Sequence, residues 1–301
     1  MTQVSERLVG NSFRPGYRFQ RYWDTSMALA FFFAEVGTGL FVVSLYLDLV
    51  PGMILGLALA ATLKPYFHLA HMGVPKKSWR AIARPDRSWV SRGAIAVGVL
   101  VATGVLHILA QTVGLGLPPE VVNVIRYAAL AAGLVVMCYQ GFAMAASEAF
   151  ALWASPLLPV ASFLYATTAG VLLASIVCPL AGHGPAALPQ GLVGVLLAAD
   201  FAVVGSILVA ARRKSKGGAF SVELLLKGRY ARGFVGGALG VGLVLPFVAV
   251  IAGGDALALR IGAALAMLAG FFAFRLLMLR AAVYEPITYD LAASIGLPAR
   301  S

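Results

Sequence analysis

Three side chains able to hold or move a proton recur along one short stretch. Lys64, His68 and His71 stand at i, i+4 and i+7 in "LKPYFHLAH", which on a helix places them on one face, with Pro65 inside the same turn. Imidazole exchanges protons near neutral pH because its unperturbed pKa is about 6.5. Two histidines beside an amine could therefore bind and protonate a lipid-soluble redox carrier. The plainer alternative is that Lys64 snorkels to a membrane surface and the histidines mark an ordinary interface. Two acids raise a related question. Glu35 in "FFFAEVGTGLF" and Asp200 in "LLAADFAVVG" each lie deep inside an apolar run, where an ionised group costs a few kcal/mol. Each is a candidate for proton transfer, or else a buried carboxyl that stays protonated or pairs with a base to hold helices together.

The elements that position these groups follow from composition. The chain of 301 residues is 60% hydrophobic and 12% charged, outside the range of soluble globular domains. Runs of about 20 apolar residues, the length that crosses a bilayer, fall at 26–47, 51–71, 93–114, 121–146, 159–181, 190–211, 233–252 and 256–281. The expectation is an all-α integral membrane protein of eight transmembrane helices in two four-helix bundles. A tail covers 1–25, the membrane domain 26–281, and a second tail 282–301. Alternating β-barrel patterning is absent, and no apolar segment with a small-residue cleavage site opens the chain, so a removable signal peptide is not expected.

Charge orients the bundle. Arg7, Arg14, Arg18 and Arg21 precede the first run. Lys76, Lys77, Arg80, Arg84, Arg87 and Arg92 follow the second, and Arg212, Arg213, Lys214, Lys216, Lys227, Arg229 and Arg232 follow the sixth. With an even number of spans all fall on one side, and only Arg126 and Arg260 lie near the other. The positive-inside rule then puts both termini in the cytoplasm. Most of the net charge of +11 is accounted for by topology, with anionic lipid headgroups or an acidic partner as further takers. Nucleic acid is not expected as a partner.

Resident cofactors are constrained by what the chain lacks. Cys138 and Cys178 are the only cysteines, so an iron–sulfur cluster cannot be ligated by this chain alone. Bis-histidine haem ligation needs two histidines at matching depth, whereas His107 sits about 22 Å further across than His68 and His71 at 1.5 Å per residue; His107 and His183 are closer in depth, but His183 is in a connection and a lone membrane histidine usually hydrogen-bonds within the bundle, so no haem is expected. Tyr139, in the last turns of the fourth run, has a depth comparable to His68 and His71 and could hydrogen-bond a carbonyl, or serve as an aromatic-belt anchor. Glu148, beyond it, is a candidate entry point for protons. Arg275 and Arg280 on the last run could polarise such a site or snorkel to the surface.

The run His71–Met72–Gly73–Val74–Pro75, then Trp79–Arg80–Ala81 and "RSWVSRG" resembles the pattern of the dimethyl sulfoxide reductase membrane anchors, within the NrfD and polysulfide reductase membrane-subunit superfamily. "YQGFAM" (139–144), "WASPLLP" (153–159) and "GFFAFRLLMLRAAVY" (270–284) resemble further motifs of that family in the same order, so the resemblance covers nearly the whole chain. It implies a quinone-reactive anchor, without haem or iron–sulfur cluster of its own, in a bacterial or archaeal cytoplasmic membrane. The implied partners are a four-cluster ferredoxin-like iron–sulfur subunit and a molybdenum or tungsten bis-pterin catalytic subunit. Ubiquinone or menaquinone would be the redox carrier.

Carried over by position, His71 is the family histidine implicated in quinol chemistry. It would act as proton donor while Lys64 and Tyr139 orient the headgroup, with His68 and Arg275 lining the site. One departure stands out: a glutamate often follows the family's serine-arginine pair, but Gly93 follows Arg92 here. The basic second loop, with Lys76, Lys77, Trp79, Arg80 and Trp89, is the expected landing place for the iron–sulfur subunit, the tryptophans supplying apolar anchors. A cytoplasmic site implies a cytoplasmic substrate, as in the sulfite-oxidising and phenylacetyl-CoA-oxidising branches, and "GYRFQRYWD" looks more like the latter. The alternative from another class is a secondary transporter or ion-translocating subunit using Glu35 and Asp200, although the paired interrupted helices common in transporters have no counterpart here.

Overall fold

A computed structural model of the chain describes residues 18–183, 188–189, 191–252 and 256–284. The tails before Arg18, with Arg7 and Arg14, and after Tyr284 lie outside the described residues. The structure is all-α, with eight helices long and apolar enough to cross a membrane: α1 Thr25–Tyr46, α2 Val50–His71, α3 Trp89–Thr112, α4 Pro119–Ala145, α5 Leu157–Leu180, α6 Leu192–Lys214, α8 Arg232–Ala252 and α9 Leu257–Arg280. Helices of this length satisfy their own backbone polar groups where lipid cannot. Outward-facing Ile54, Val99, Val135, Val195, Phe201 and Val248 are exposed, a belt that suits lipid contact rather than water.

Helices α1 to α4 pack around Phe41, Leu45, Met53, Leu57, Leu100 and Val136. A second core, Phe31, Tyr165, Leu172, Ile207, Met267 and Phe271, joins α1, α5, α6 and α9. The two cores share α1, most of whose residues are buried, and the second also takes in Phe234, Ala238 and Leu243 of α8. This shared packing depends on small residues: Gly39 of α1 and Gly170 of α5 face one another so closely that a Cβ at either would overlap the other helix's backbone. Close backbone approach of this kind is how apolar helices associate without a hydrophobic driving force.

Three local features depart from plain spans. Pro75–Ile82 forms a 3-10 helix in the second connection, and Lys216–Leu226 forms a short helix, α7, after α6. The first part of α8, Arg232–Val244, is π-helical; its glycine-rich run carries few side chains to hold a 3.6-residue turn. Pro65 does not interrupt α2, which is helical from Val50 to His71.

On the basic face the first and last described segments are tied together. Strands β1 (Arg18–Phe19) and β2 (Val283–Tyr284) pair antiparallel. Gln20 Nε2 donates to the carbonyls of Trp23 (2.6 Å) and Leu279 (3.0 Å). Buried Trp153 stacks on Trp23 at 5.1 Å and donates to Met278 O at 2.8 Å. These contacts fix the entry into α1, and with it the position of Asp24, its N-cap.

Candidate functional site

The end of α2 at the basic face carries the predicted trio. Lys64 is only 6% exposed, and its Nζ sits 5.6 Å from the centroid of the Tyr139 ring. A cation on an aromatic face is worth about 2 kcal/mol when desolvated. Among the described residues no carboxylate lies within salt-bridge distance of Lys64. Tyr139 in turn lies on Gly93 of α3: a Cβ at residue 93 would fall on the phenol ring. The departure from the resembled pattern at Gly93 thus has a packing reason, since the tyrosine occupies the space a longer side chain would need.

His68 packs on Phe31, ring centroids 6.2 Å apart, and its buried Nδ1 has no hydrogen-bond partner. The buried hydroxyl of Tyr139 has none either, nor do both amide atoms of neighbouring Gln140. The large majority of buried side-chain polar atoms are paired, so these atoms stand out.

His71 does not reach toward Tyr139. Its Nδ1 lies 3.1 Å from Asp24 Oδ1, while the same carboxylate oxygen accepts from the backbone N–H groups of Ser26 (2.9 Å) and Met27 (3.2 Å). Partial burial of Asp24 opposes ionisation, but the Met27 N–H and the His71 ring outweigh it and hold the carboxyl below its ordinary value of 3.8. An ionised carboxylate only accepts, so His71 Nδ1 carries the hydrogen and Nε2 is left as the nitrogen available to exchange a proton.

The mid-membrane acids fall into a second polar centre, adjacent to the first. Arg275 of α9, 1% exposed, donates from Nε to Glu35 Oε2 (2.8 Å) and from Nη2 to Glu35 Oε1 (2.5 Å) and Ser162 Oγ (2.7 Å). Arg275 neither snorkels nor joins Lys64 and His71; it is the counter-ion of Glu35. Asp200 of α6 contacts Thr168 of α5, Oδ2 to Oγ1 2.6 Å. Tyr139 lies within electrostatic reach of Glu35, which brings the two centres next to each other inside the bundle.

The remaining predicted residues stay at the surface. Glu148 is exposed in the turn after α4. Lys76, Lys77, Trp79 and Arg80 are exposed on the 3-10 helix, with Trp79 at 62%. Trp89 differs: it stacks on Phe142 at 4.2 Å under the Arg92 guanidinium at 4.4 Å, so it is half-buried and packs inward instead of offering anchor area.

No protein-family model matches this chain, and no curated protein is significantly similar to it. The site therefore rests on its own geometry. Sequence reasoning missed Asp24, Ser162, Thr168 and Tyr165. Asp24 had a readable signal, an acidic residue immediately before an apolar run; the α5 hydroxyls had only their polarity inside an apolar span.

Proposed function

We propose that this multi-pass membrane protein is the quinone-reactive anchor of a molybdenum or tungsten pterin oxidoreductase. In this reading it exchanges electrons between a partner iron–sulfur subunit and the quinone pool of a bacterial or archaeal cytoplasmic membrane, with both termini cytoplasmic. One observation carries the reading. Buried, unpartnered polar groups, the Tyr139 hydroxyl and His68 Nδ1, lie with the Lys64 cation at the basic-face end of α2, where Lys64 sits on the Tyr139 ring and His68 on that of Phe31. Donors without acceptors in an aromatic wall suit a flat headgroup that brings carbonyl oxygens and no proton of its own.

A quinone supplies two-electron, two-proton redox chemistry when bound. Lys64 and Tyr139 would orient the headgroup by donating to carbonyl oxygen. His71, held by Asp24 through Nδ1, would transfer a proton at Nε2, and its half-exposed ring would be recharged from the basic-face solvent. Electrons would arrive from the iron–sulfur partner seated on Lys76, Lys77, Trp79 and Arg80, close to His71.

The test is quinone-analogue turnover by the purified complex, comparing wild type with His71→Ala and Tyr139→Phe while confirming that the partner's clusters remain bound and reducible by substrate. Loss of quinone turnover with reducible clusters is expected. Unchanged turnover in both variants would overturn the assignment.

A further inference from the structure

Three buried atoms in the second polar centre face one another's charge without a protein partner: Arg275 Nη1, Asp200 Oδ1 and the Tyr165 hydroxyl. Their residues are at most 1% exposed, and Tyr165 lies within electrostatic reach of both Asp200 and Arg275. The Tyr165 ring is fixed by stacking on Phe271 (4.5 Å) and Phe274 (4.9 Å), so its hydroxyl cannot swing away to find another partner. Two donors and one acceptor, all buried and unpartnered, are groups that a single water could bridge.

The hydroxyl of Thr168 can accommodate Asp200 in either protonation state. Its Oγ1 is 2.9 Å from Leu164 O, the carbonyl one turn back, and 2.6 Å from Asp200 Oδ2. A hydroxyl has one hydrogen to give and lone pairs to receive. Given to Asp200 Oδ2, that hydrogen makes the carboxyl an acceptor; given to Leu164 O, it leaves Oγ1 free to accept from a protonated Asp200.

Charge arithmetic chooses between the two. Glu35, Asp200 and Arg275, all ionised, leave one negative charge in the membrane interior, where an unbalanced charge is costly. Glu35 accepts two bonds from the guanidinium and is the carboxylate of the pair. Among the described residues no cation lies within salt-bridge distance of Asp200: α5 contributes Tyr165 and Thr168, α9 Arg275 and, near its other end, Arg260, which donates to Ser175 O at 3.3 Å, α1 Glu35 through Arg275, α8 Arg232 at its end, and α7 Lys216 and Glu223, exposed at the basic face.

We propose that Glu35, Arg275 and Asp200 form one charge-balanced unit that stores a single proton on Asp200 and exchanges it through water held by Arg275 Nη1, Tyr165 and Asp200 Oδ1. The stored proton is the ligand of this site, and its occupancy is set by the charge of Glu35. Loss of the Glu35 charge leaves Arg275 to be balanced by Asp200, which then releases its proton to the water. The assignment does not depend on the quinone reading.

Infrared difference spectroscopy of the purified full chain tests it at neutral pH without any partner or quinone. Wild type should show a protonated-carboxyl C=O band that shifts in D2O and is missing in Asp200→Asn. Thr168→Val, which removes the acceptor without touching either acid, should displace the band. Glu35→Gln should abolish it, because Asp200 ionises to balance Arg275. Absence of any Asp200-dependent band, or a band that survives Glu35→Gln unchanged, would overturn the proposal.

Discussion

Arg275 grips Glu35 through two nitrogens, at 2.8 and 2.5 Å, across a sequence separation of 240 residues. The pair clamps the first helix to the last inside the bundle, with Ser162 of α5 as a third anchor. Removing one member strands the other's charge, whereas neutralising both leaves no buried charge at the contact.

Breaking the pair should therefore be worse than deleting it. Arg275→Met is expected to destabilise the protein by about 3–5 kcal/mol, the usual cost of an orphaned buried charge. The Glu35→Gln, Arg275→Met double variant should recover much of that. Denaturation of the four proteins of this cycle in one detergent measures the coupling; additive losses would show that the two residues act independently.

Gly93 should tolerate no side chain while Tyr139 is present. Gly93→Ala pushes a methyl group into the phenol ring and is expected to cost about 1–3 kcal/mol, as overpacking does. In a Tyr139→Ala background the same substitution should cost little, because contacting residues are not additive. Thermal unfolding of the two single variants and the double variant separates packing from any backbone requirement at residue 93.

Asp24 ties the α1 terminus to His71, and its acid dependence has a definite sign. A carboxyl held below its ordinary value of 3.8 contributes stability above that value, which is lost as the pH falls through the lowered one. Wild type should lose stability on acidification below 3.8 more steeply than Asp24→Asn does. Asp24→Ala should also cost about 1 kcal/mol at neutral pH through the lost N-cap. Acid titration followed by circular dichroism compares the three proteins.

Trp79 and Trp89 should differ as docking residues. Trp79→Ala, at an exposed position, is expected to weaken retention of the iron–sulfur partner without changing the stability of the isolated chain. Trp89→Ala should destabilise the chain itself by about 3–5 kcal/mol, having lost its packing on Phe142. Co-purification and unfolding measured on the same preparations distinguish them, and a reversal of the two effects would place the docking surface elsewhere.

Part of the candidate site was legible in one dimension. The spacing of Lys64, His68 and His71 is local and helical, and α2 runs unbroken through Pro65, so their shared end of one helix could be read directly. The depth of Tyr139 was readable for the same reason, but its seat on Gly93 and beneath Lys64 was not, because contact between helices depends on their rotation about their own axes. Asp24 had a readable N-cap signal, but its contact with His71 needs the end of α2 brought to the start of α1.

The eight spans and the basic face were determined by the sequence itself. A helix in lipid must satisfy its own backbone, so about 20 apolar residues specify a span whatever its neighbours are, and charge between spans segregates to one side. Which buried groups meet was decided by tertiary structure alone. Glu35 and Asp200 looked equivalent along the chain, yet close packing of α1 on α5 and α9 gives Glu35 a guanidinium and leaves Asp200 with a hydroxyl. That difference sets which carboxyl carries the charge, because in a low-dielectric interior the partner within hydrogen-bond distance outweighs everything further away.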